Sequence, residues 1–201
     1  MRRRPDLLVP GRGPRVGTAL APLIVLGLLA TCASAPTATV PTAAVVELPV
    51  RPGPRTETSY TVPHVQVFVD PVPEVDTELR RRIFLLPDVE RRESITSIKG
   101  TYALWLTPEA PTPRATLRER EFAHIHPDGS FHLVLPVDRA LEAIETKWAE
   151  FHPWVGREDF WDGMVMLYTP QSEDEAEITL QLVIDSYNFV TGRDVTTESL
   201  E

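Results

Sequence analysis

Residues 121–135 read EFAHIHPDGSFHLVL, a pattern that predicts two antiparallel strands joined by a tight turn. The Pro-Asp pair at 127–128 suits a type I turn, and Gly129 suits the left-handed position that follows it. A three-residue loop of this kind pairs His124 with His132 across the two strands. The sequence therefore predicts a β-hairpin whose register is set by its turn.

This register gives the hairpin one apolar face and one face of imidazoles. The apolar face is made by Ala123, Ile125, Phe131, Leu133 and Leu135. The opposite face carries His124, His126 and His132. A two-residue loop at Asp128 and Gly129 would instead turn His132 to the apolar side, where burial of a polar ring costs free energy. We therefore expect the three-residue loop.

Three imidazoles on one sheet face allow two kinds of chemistry. They can bind a divalent metal ion, as a His-x-His pair and a third cross-strand histidine do in some zinc enzymes. Alternatively, they can exchange protons with an acidic or phenolic ligand and hold it by hydrogen bonds. Histidines in such positions also bond simply to backbone groups or water. The candidate catalytic residues are His124, His126, His132, Glu121 upstream of them, and His152 in a later loop.

The sequence before and within the hairpin predicts a helix and three strands. Asp76 is a suitable N-cap for a helix over 77–86. A strand is expected over 98–106, and the hairpin strands are expected over 119–126 and 130–135. The first half of the domain therefore has the order αβββ.

The sequence after the hairpin predicts two more helices and one strand. The apolar residues that recur at helical spacing are Val137, Ala140, Leu141, Ile144 and Trp148. A strand is expected over 164–168. Ser172 and Glu175 form a capping box that begins the last helix, and Gly192 ends it. The complete order αβββαβα predicts a single α+β domain, in which helices pack on a small antiparallel sheet.

The N-terminus predicts export. Five arginines and one aspartate precede or flank an uncharged run over 16–35, which is the layout of a secretory leader over residues 1–35. Leu29-Ala30-Thr31-Cys32 resembles a lipobox and makes Cys32 the candidate lipidation site, whereas Ala33-Ser34-Ala35 suits ordinary cleavage. We therefore expect a protein of the cell envelope, held at the membrane by a lipid anchor or an uncleaved leader, or otherwise secreted.

Composition limits the partners and the organisation of the mature chain. The formal net charge of the whole chain is −9, and the leader is basic, so the remainder is still more acidic and does not suit nucleic acid. Cys32 is the only cysteine, which excludes an internal disulfide. The proline-rich residues 36–74 predict a largely disordered stalk. The folded domain is expected over 75–195, followed by a C-terminal tail over 196–201.

Four blocks of sequence occur in the order found in a known family. The blocks are REFAHIH at 120–126, FHLVL at 131–135, Lys147-Trp148 with His152-Pro153, and LYTP at 167–170. Together they resemble the successive blocks of the fungal luciferase domain, and the resemblance extends over residues 79–192. It implies an oxygenase that joins O2 to a hydroxylated α-pyrone without a separate organic cofactor or a required metal.

The resemblance also implies which positions are functional. The matching positions are Glu121, His124, His126, His132, Trp148 and His152. Ligand contacts are expected from Trp148, Trp154 and Tyr168. Residues 149–151 and 154–157 replace small, glycine-rich segments of the family, which implies a reshaped pocket. No cofactor is expected, and a divalent metal remains an alternative.

Three hypotheses of function follow from the sequence. The first is a cofactor-independent oxygenase, or a related enzyme, that acts on a small phenolic or enolic (pyrone-like) molecule through the histidines. The second is a lipoprotein domain that binds a small ligand in the same pocket without chemistry. The third is a structural lipoprotein of the envelope.

Overall fold

The sheet extends on both sides of the predicted hairpin. The computed structural model describes residues 47–201. Its strands are β1 (Val89–Glu93), β2 (Tyr102–Leu106), β3 (Glu121–Ile125), β4 (Phe131–Val134), β5 (Ala149–Phe151) and β6 (Met164–Leu167). Its helices are α1 (Pro73–Ile83), α2 (Val137–Glu145), α3 (Glu173–Thr191) and a final 3-10 helix (Thr197–Leu200). The strand order is β1-β2-β3-β4-β6-β5, and all neighbours are antiparallel, so the predicted α+β fold class is confirmed.

Helix α3 packs on the apolar face of the sheet and contacts β3, β4 and α1. The face of this helix that meets the core includes Leu180, Val183, Ile184, Tyr187 and Val190, all of which are buried. The predicted caps are also present, since Ser172 Oγ accepts a hydrogen bond from the N–H of Glu175 and Gly192 has a φ of 72°. The carboxylate of Glu175, however, accepts from the N–H of Gln171 at 2.9 Å rather than from that of the cap residue.

Two predicted boundaries in the first half of the domain are wrong. Helix α1 begins at Pro73, earlier than predicted, because proline lacks an N–H and fits the first turn of a helix. Asp76 is therefore not the cap and instead accepts a hydrogen bond from Arg80 Nε at 2.8 Å. Strand β2 begins only at Tyr102, because the preceding residues 98–101 form a turn closed by a backbone hydrogen bond of 3.2 Å.

Helix α2 buries only part of the face predicted for it. Val137 and Leu141 are exposed, whereas Arg139, Ala140 and Ala143 are buried. The arginine is accommodated because its guanidinium donates to Asp185 at 2.7 Å and to Glu142 at 2.6 Å. Ala140 is thus buried as predicted, whereas Arg139 and Ala143 are buried in place of Val137 and Leu141.

The structure differs from the predicted stalk over residues 47–72. This segment, which we call the strap, packs on the domain: Leu48 is buried and Arg51 pairs with Glu175 at 2.8 Å. The Nε1–H of Trp148 also donates to the carbonyl of Pro49 at 2.6 Å. Proline density prevents regular helix and sheet hydrogen bonding, but it does not prevent an extended segment from packing through its side chains.

The predicted leader, Cys32 and the first part of the predicted stalk, residues 36–46, lie outside the described residues. At the other end of the chain, the predicted tail forms the 3-10 helix, and its Leu200 is buried. Within residues 47–201, no helix combines the length and apolar character needed to cross a membrane.

Candidate functional site

The hairpin has the predicted turn and register. His124 pairs with His132, and the N–H of His126 donates to the carbonyl of Ser130 at 2.8 Å. Gly129 has a φ of 83°, which is the left-handed conformation expected of the third loop residue. The three-residue loop is therefore confirmed, and the three imidazoles line one cavity.

A β-bulge brings Glu121 to the same face as His124. Leu104 pairs with Ala123 while Trp105 pairs with Glu121, so Phe122 is an extra residue in β3. Strict alternation would place two residues three positions apart on opposite faces of the strand. The bulge changes this phase, and Glu121 Oε1 lies 2.7 Å from Nδ1 of His124.

All five histidines of the chain meet in one buried cluster, which we call the histidine cluster. Its members are His64, His124, His126, His132 and His152. Three of them lie on the hairpin. Of the other two, His64 lies in the strap and His152 follows β5. Their ring centroids lie 5.1 Å and 4.8 Å from that of His132, which places His132 at the centre of the cluster.

A line of hydrogen bonds crosses the cluster between two carboxylates. Glu121 bonds Nδ1 of His124, whose Nε2 lies 3.1 Å from Nδ1 of His132. Nε2 of His132 lies 3.0 Å from Nδ1 of His64, and Nε2 of His64 lies 2.6 Å from Oε1 of Glu150. Both nitrogens of these three rings therefore have a partner within the line.

The carboxylate of Glu121 is held by the loop after β1. It accepts hydrogen bonds from Ser94 Oγ at 2.7 Å, from Thr96 Oγ1 at 2.9 Å and from the N–H of Ile95 at 3.2 Å. Burial would raise the pKa of this carboxyl, but the hydrogen bonds from His124 and the loop bring it below its ordinary value of 4.5. Glu121 is thus a fully buried carboxylate at neutral pH.

Glu150 is the carboxylate at the other end of the line of hydrogen bonds, where it accepts from His64. Its second oxygen accepts from the hydroxyl of Tyr168 at 3.1 Å. Burial would raise the pKa of Glu150, but the hydrogen bond from His64 leads a set of interactions that lower it below 4.5. The same surroundings raise the pKa of Tyr168 to about 12, first through burial and then through the charge of Glu150. Tyr168 therefore stays a donor at neutral pH.

Burial keeps three of the imidazoles at the cavity neutral, those of His126, His132 and His152. It lowers the pKa of His132 well below the ordinary 6.5, and the neighbouring imidazoles lower it further. Burial, followed by the charge of His124, lowers the pKa of His126 to about 3. Burial, followed by the charge of His64, lowers the pKa of His152 to about 4. Neutral rings of this kind offer lone pairs to metals and to acidic protons.

The tautomers of two rings follow from their partners. Nδ1 of His126 lies 2.8 Å from Ser130 Oγ, whose hydroxyl donates to Asp128 at 2.7 Å. His126 must then donate through Nδ1, which leaves a lone pair on Nε2. His152 is the opposite case, because its Nδ1 accepts from the N–H of Trp154 at 3.1 Å and its neutral ring therefore carries the proton on Nε2.

The histidine cluster lines a cavity of about 750 Å³. The other lining residues form apolar walls with a few polar groups, and include Ile95, Ile98, Leu117, Arg118, Trp154, Arg157 and Phe160. The guanidinium of Arg157 lies over the ring of Trp154, 4.6 Å from its centroid. This combination of apolar walls and converging polar groups is typical of a site for a small molecule.

Two sets of three histidines bring ring nitrogens close enough for one metal ion. The first set is His124, His126 and His132, and the second is His64, His132 and His152. In each set the nitrogens lie within 4.8 Å of one another, and His132 belongs to both.

The structure brings most of the predicted site residues together. His124, His126, His132, His152 and Trp154 line the cavity, and Glu121 lies directly behind His124. Trp148 and Tyr168 take different places from those expected of ligand contacts. Trp148 bonds the strap and stacks near its arginine, Arg51. Tyr168 supports Glu150.

Sequence reasoning missed two residues of the site. His64 was hidden in a proline-rich segment that predicted a disordered stalk, and Glu150 lies in an edge strand of only three residues. One signal was available for His64, since it is the one remaining histidine of a chain with five. No comparable signal distinguished Glu150 from the other acidic residues.

Comparisons with known proteins match the part of the chain that carries most of the histidine cluster. The luciferase domain family matches residues 119–186, which contain four of the five histidines. The luciferase of Neonothopanus nambi is 27% identical over 117 residues, which cover 56% of this chain and 39% of that relative. The chain thus spans about two fifths of the length of this relative. No solved structure matches the chain significantly. The chain is a luciferase-like domain protein.

Proposed function

We propose that this domain is an enzyme that activates a small enolic or phenolic molecule for reaction with O2. One observation carries the proposal: five buried histidines converge on one wall of a cavity of about 750 Å³. A set of neutral imidazoles facing a cavity suits removal of a proton from an acidic hydroxyl. The involvement of O2 rests on the likeness to a luciferase.

The lining of the cavity supports a planar, acidic substrate. Phe160 and Ile95 offer apolar surface to a ring, while Arg118 and Arg157 provide positive charge for an oxyanion. His152 presents its Nε2–H, because its other nitrogen accepts from the backbone. The departures from the family pattern at 154–157 lie in this wall, so the ligand is expected to differ from that of the fungal enzymes.

The proposed reaction begins with loss of the substrate hydroxyl proton to the histidine cluster. The resulting enolate is held by hydrogen bonds, among them that of His152. The enolate carbon then forms a C–O bond with O2, so that the carbon is oxidised and O2 is reduced to the peroxide level. The terminal peroxide oxygen takes the proton back, which gives a hydroperoxide with atoms and charge balanced.

Oxygen uptake by the purified chain tests this function. Hydroxypyrones and catechols are supplied to the wild type, to His152→Ala and to Arg157→Ala. Loss of the oxyanion donor in His152→Ala is expected to lower kcat by about 10²–10³-fold. Arg157→Ala is expected to raise KM, and the matched control Arg81→Ala, which alters an exposed arginine of α1, is expected to change neither constant.

Two results would count against the enzyme. Uptake that is unaffected in His152→Ala would place the reaction elsewhere. Thermal stabilisation of the chain by members of the panel, without oxygen uptake or product, would instead identify a binding module that uses the same cavity.

We also propose that the chain is exported and lipid-anchored through Cys32. The support is the basic leader followed by a lipobox-like segment. Mass spectrometry of the mature N-terminus tests the proposal: a diacylated Cys32 supports it, and an unmodified terminus after Ala35 contradicts it.

A further inference from the structure

The hydrogen bonds of the histidine cluster leave two lone pairs facing each other. A neutral imidazole has one N–H. His124 directs its N–H from Nδ1 to Glu121, so its Nε2 carries a lone pair. If His132 directs its own N–H from Nε2 to His64, its Nδ1 carries a second lone pair, only 3.1 Å from that of His124. Such a pair of nitrogens needs a positive charge between them.

A third nitrogen converges on the same place. Nε2 of His126 carries a lone pair, because Nδ1 donates to Ser130 Oγ. The ring nitrogens that His124, His126 and His132 offer lie within 4.8 Å of one another. A tetrahedral ion with metal–nitrogen distances of about 2.0–2.1 Å needs ligand nitrogens about 3.3 Å apart. The 3.1 Å between His124 Nε2 and His132 Nδ1 is close to this value, and the nitrogen of His126 lies within 4.8 Å of both.

We propose that His124, His126 and His132 bind a divalent first-row transition-metal ion at the wall of the cavity. Three neutral imidazoles without a thiolate suit the borderline ions, such as Zn²⁺ and Fe²⁺, rather than Mg²⁺ or Ca²⁺. This goes beyond the proposed reaction and departs from the cofactor-free site that the sequence resemblance implied. It does not depend on the reaction, because ion binding is measured without substrate.

The groups behind the three ligands complete the site. A histidine that binds a metal usually donates its other N–H to a carboxylate or another acceptor, which fixes the ring. His124 donates to Glu121, and His126 donates to Ser130. With the ion on Nδ1 of His132, the Nε2–H of that ring donates to His64, and His64 donates its own N–H to Glu150 at 2.6 Å. Every outward nitrogen of the three ligands thus has a suitable acceptor.

The second set, His64, His132 and His152, does not offer a lone pair from each of its three rings. A metal held by His64, His132 and His152 would need the Nε2 lone pair of His152. The N–H of Trp154 points at Nδ1 of that ring at 3.1 Å, so the proton of the neutral ring lies on Nε2. His152 is therefore a hydrogen-bond donor beside the ion rather than one of its ligands.

The ion would have an open coordination position toward the cavity. Three protein ligands leave the fourth position of a tetrahedral ion to water or substrate, as in catalytic rather than structural zinc sites. A hydroxyl oxygen bound there loses its proton more readily because the ion stabilises the anion. In this arrangement Glu121 is a positioning residue, since it acts on the ion only through His124.

Cobalt titration of the full chain tests the site. The chain is stripped with a chelator, Co²⁺ is added, and the visible absorption of a tetrahedral Co²⁺ centre is recorded. We expect one Co²⁺ per chain in the wild type and at least about a 100-fold weaker affinity in His126→Gln. The matched variant His152→Gln should keep the affinity within a few-fold, and Glu121→Gln should weaken it by about 10–100-fold.

Two outcomes would overturn the proposal: the wild type binds no stoichiometric ion, or His126→Gln still binds it. In the second case, loss of the ion in His152→Gln would assign the second set of histidines. Far-UV circular dichroism of each variant checks that lost binding is not lost folding. Oxygen uptake is measured separately, so failure of the metal site and failure of the proposed enzyme give different results.

Discussion

The chemistry of each imidazole in the cluster is set by what its outer nitrogen touches. A serine hydroxyl frees a lone pair on His126, whereas a backbone N–H leaves a proton on His152. Two rings of the same type in one cavity thus become an acceptor and a donor. His132 differs from both, since other histidines contact each of its nitrogens, and its substitution is expected to disturb the whole cluster.

Glu150 is expected to make stability depend on pH. Its folded-state pKa is depressed, so it contributes stability above its ordinary pKa of 4.5 that is lost as the pH falls through the lower folded value. Glu150→Gln removes this contribution while keeping the shape of the side chain. Urea unfolding between pH 7 and pH 3 should show the largest loss of unfolding free energy at neutral pH and a smaller loss in acid.

A control separates this effect from the removal of any negative charge. Glu78 forms an exposed pair with Arg81, and Glu78→Gln should therefore change the unfolding free energy little at any of these pH values. The difference in unfolding free energy between Glu150→Gln and the wild type could instead stay constant down to pH 3. That result would show that ionisation of Glu150 adds no stability.

The hairpin turn is the element that fixes the register of the site. Gly129 combines a left-handed φ of 83° with crowding, since an added Cβ would lie 2.8 Å from Cγ2 of Thr169 and 3.1 Å from Cβ of Pro71. Gly129→Ala is therefore expected to lower the unfolding free energy by about 2–4 kcal/mol, of which backbone strain supplies about 1–2 kcal/mol. Chemical denaturation measures the loss.

Gly53→Ala is the matched control for the turn. Gly53 has a similar φ of 81°, but an added Cβ would meet nothing within 4 Å. This variant should show the backbone strain alone. Equal losses of unfolding free energy in Gly129→Ala and Gly53→Ala would mean that Thr169 and Pro71 move away from the added Cβ without a cost in stability.

Elements with a strong periodic or turn signal could be predicted, whereas edge strands could not. The hairpin and α3 were predicted because turn chemistry and apolar spacing agree with their tertiary positions. Strand β1 reads VERRE and is largely exposed, and β5 has only three residues, so neither shows the alternation of a half-buried strand. Charged and short edge strands of this kind hinder pairing with other chains, which is a benefit that hydrophobic periodicity does not reveal.

The bulge in β3 could not be predicted from the sequence either. Alternation along a regular strand would have turned Glu121 away from His124. The pairing of β3 with β2 decides this point, and β2 lies 15 or more residues earlier in the chain. Glu121 and His124 could thus be named from the sequence as candidate site residues, but the hydrogen bond between them could not be predicted.

At the scale of the whole molecule, the strap is part of the functional domain. It brings Leu48 into the core, Arg51 to Glu175 and His64 into the histidine cluster. Its burial was not predicted because its proline content gives no helical or strand periodicity. Partners for its side chains come from residues about 70–120 positions later in the chain.

A chain that begins at Pro73 is therefore expected to be less stable than one that begins at Glu47. Burial of Leu48 alone contributes about 1.5–3 kcal/mol, and the truncated chain also loses the pairing of Glu175. We expect a loss of about 3 kcal/mol or more in the free energy of unfolding, measured by chemical denaturation. Equal stability of the two chains would show that the strap only rests on a domain that folds without it.

The concentration of all five histidines in one place also makes the cluster a natural spectroscopic label. Resonances of imidazole nitrogens in NMR, and acylation by reagents selective for imidazole, report on this one location when the chain carries no polyhistidine tag. Occupancy of the cavity can then be followed in the wild-type sequence, without isotopic editing by residue position and without a reporter group.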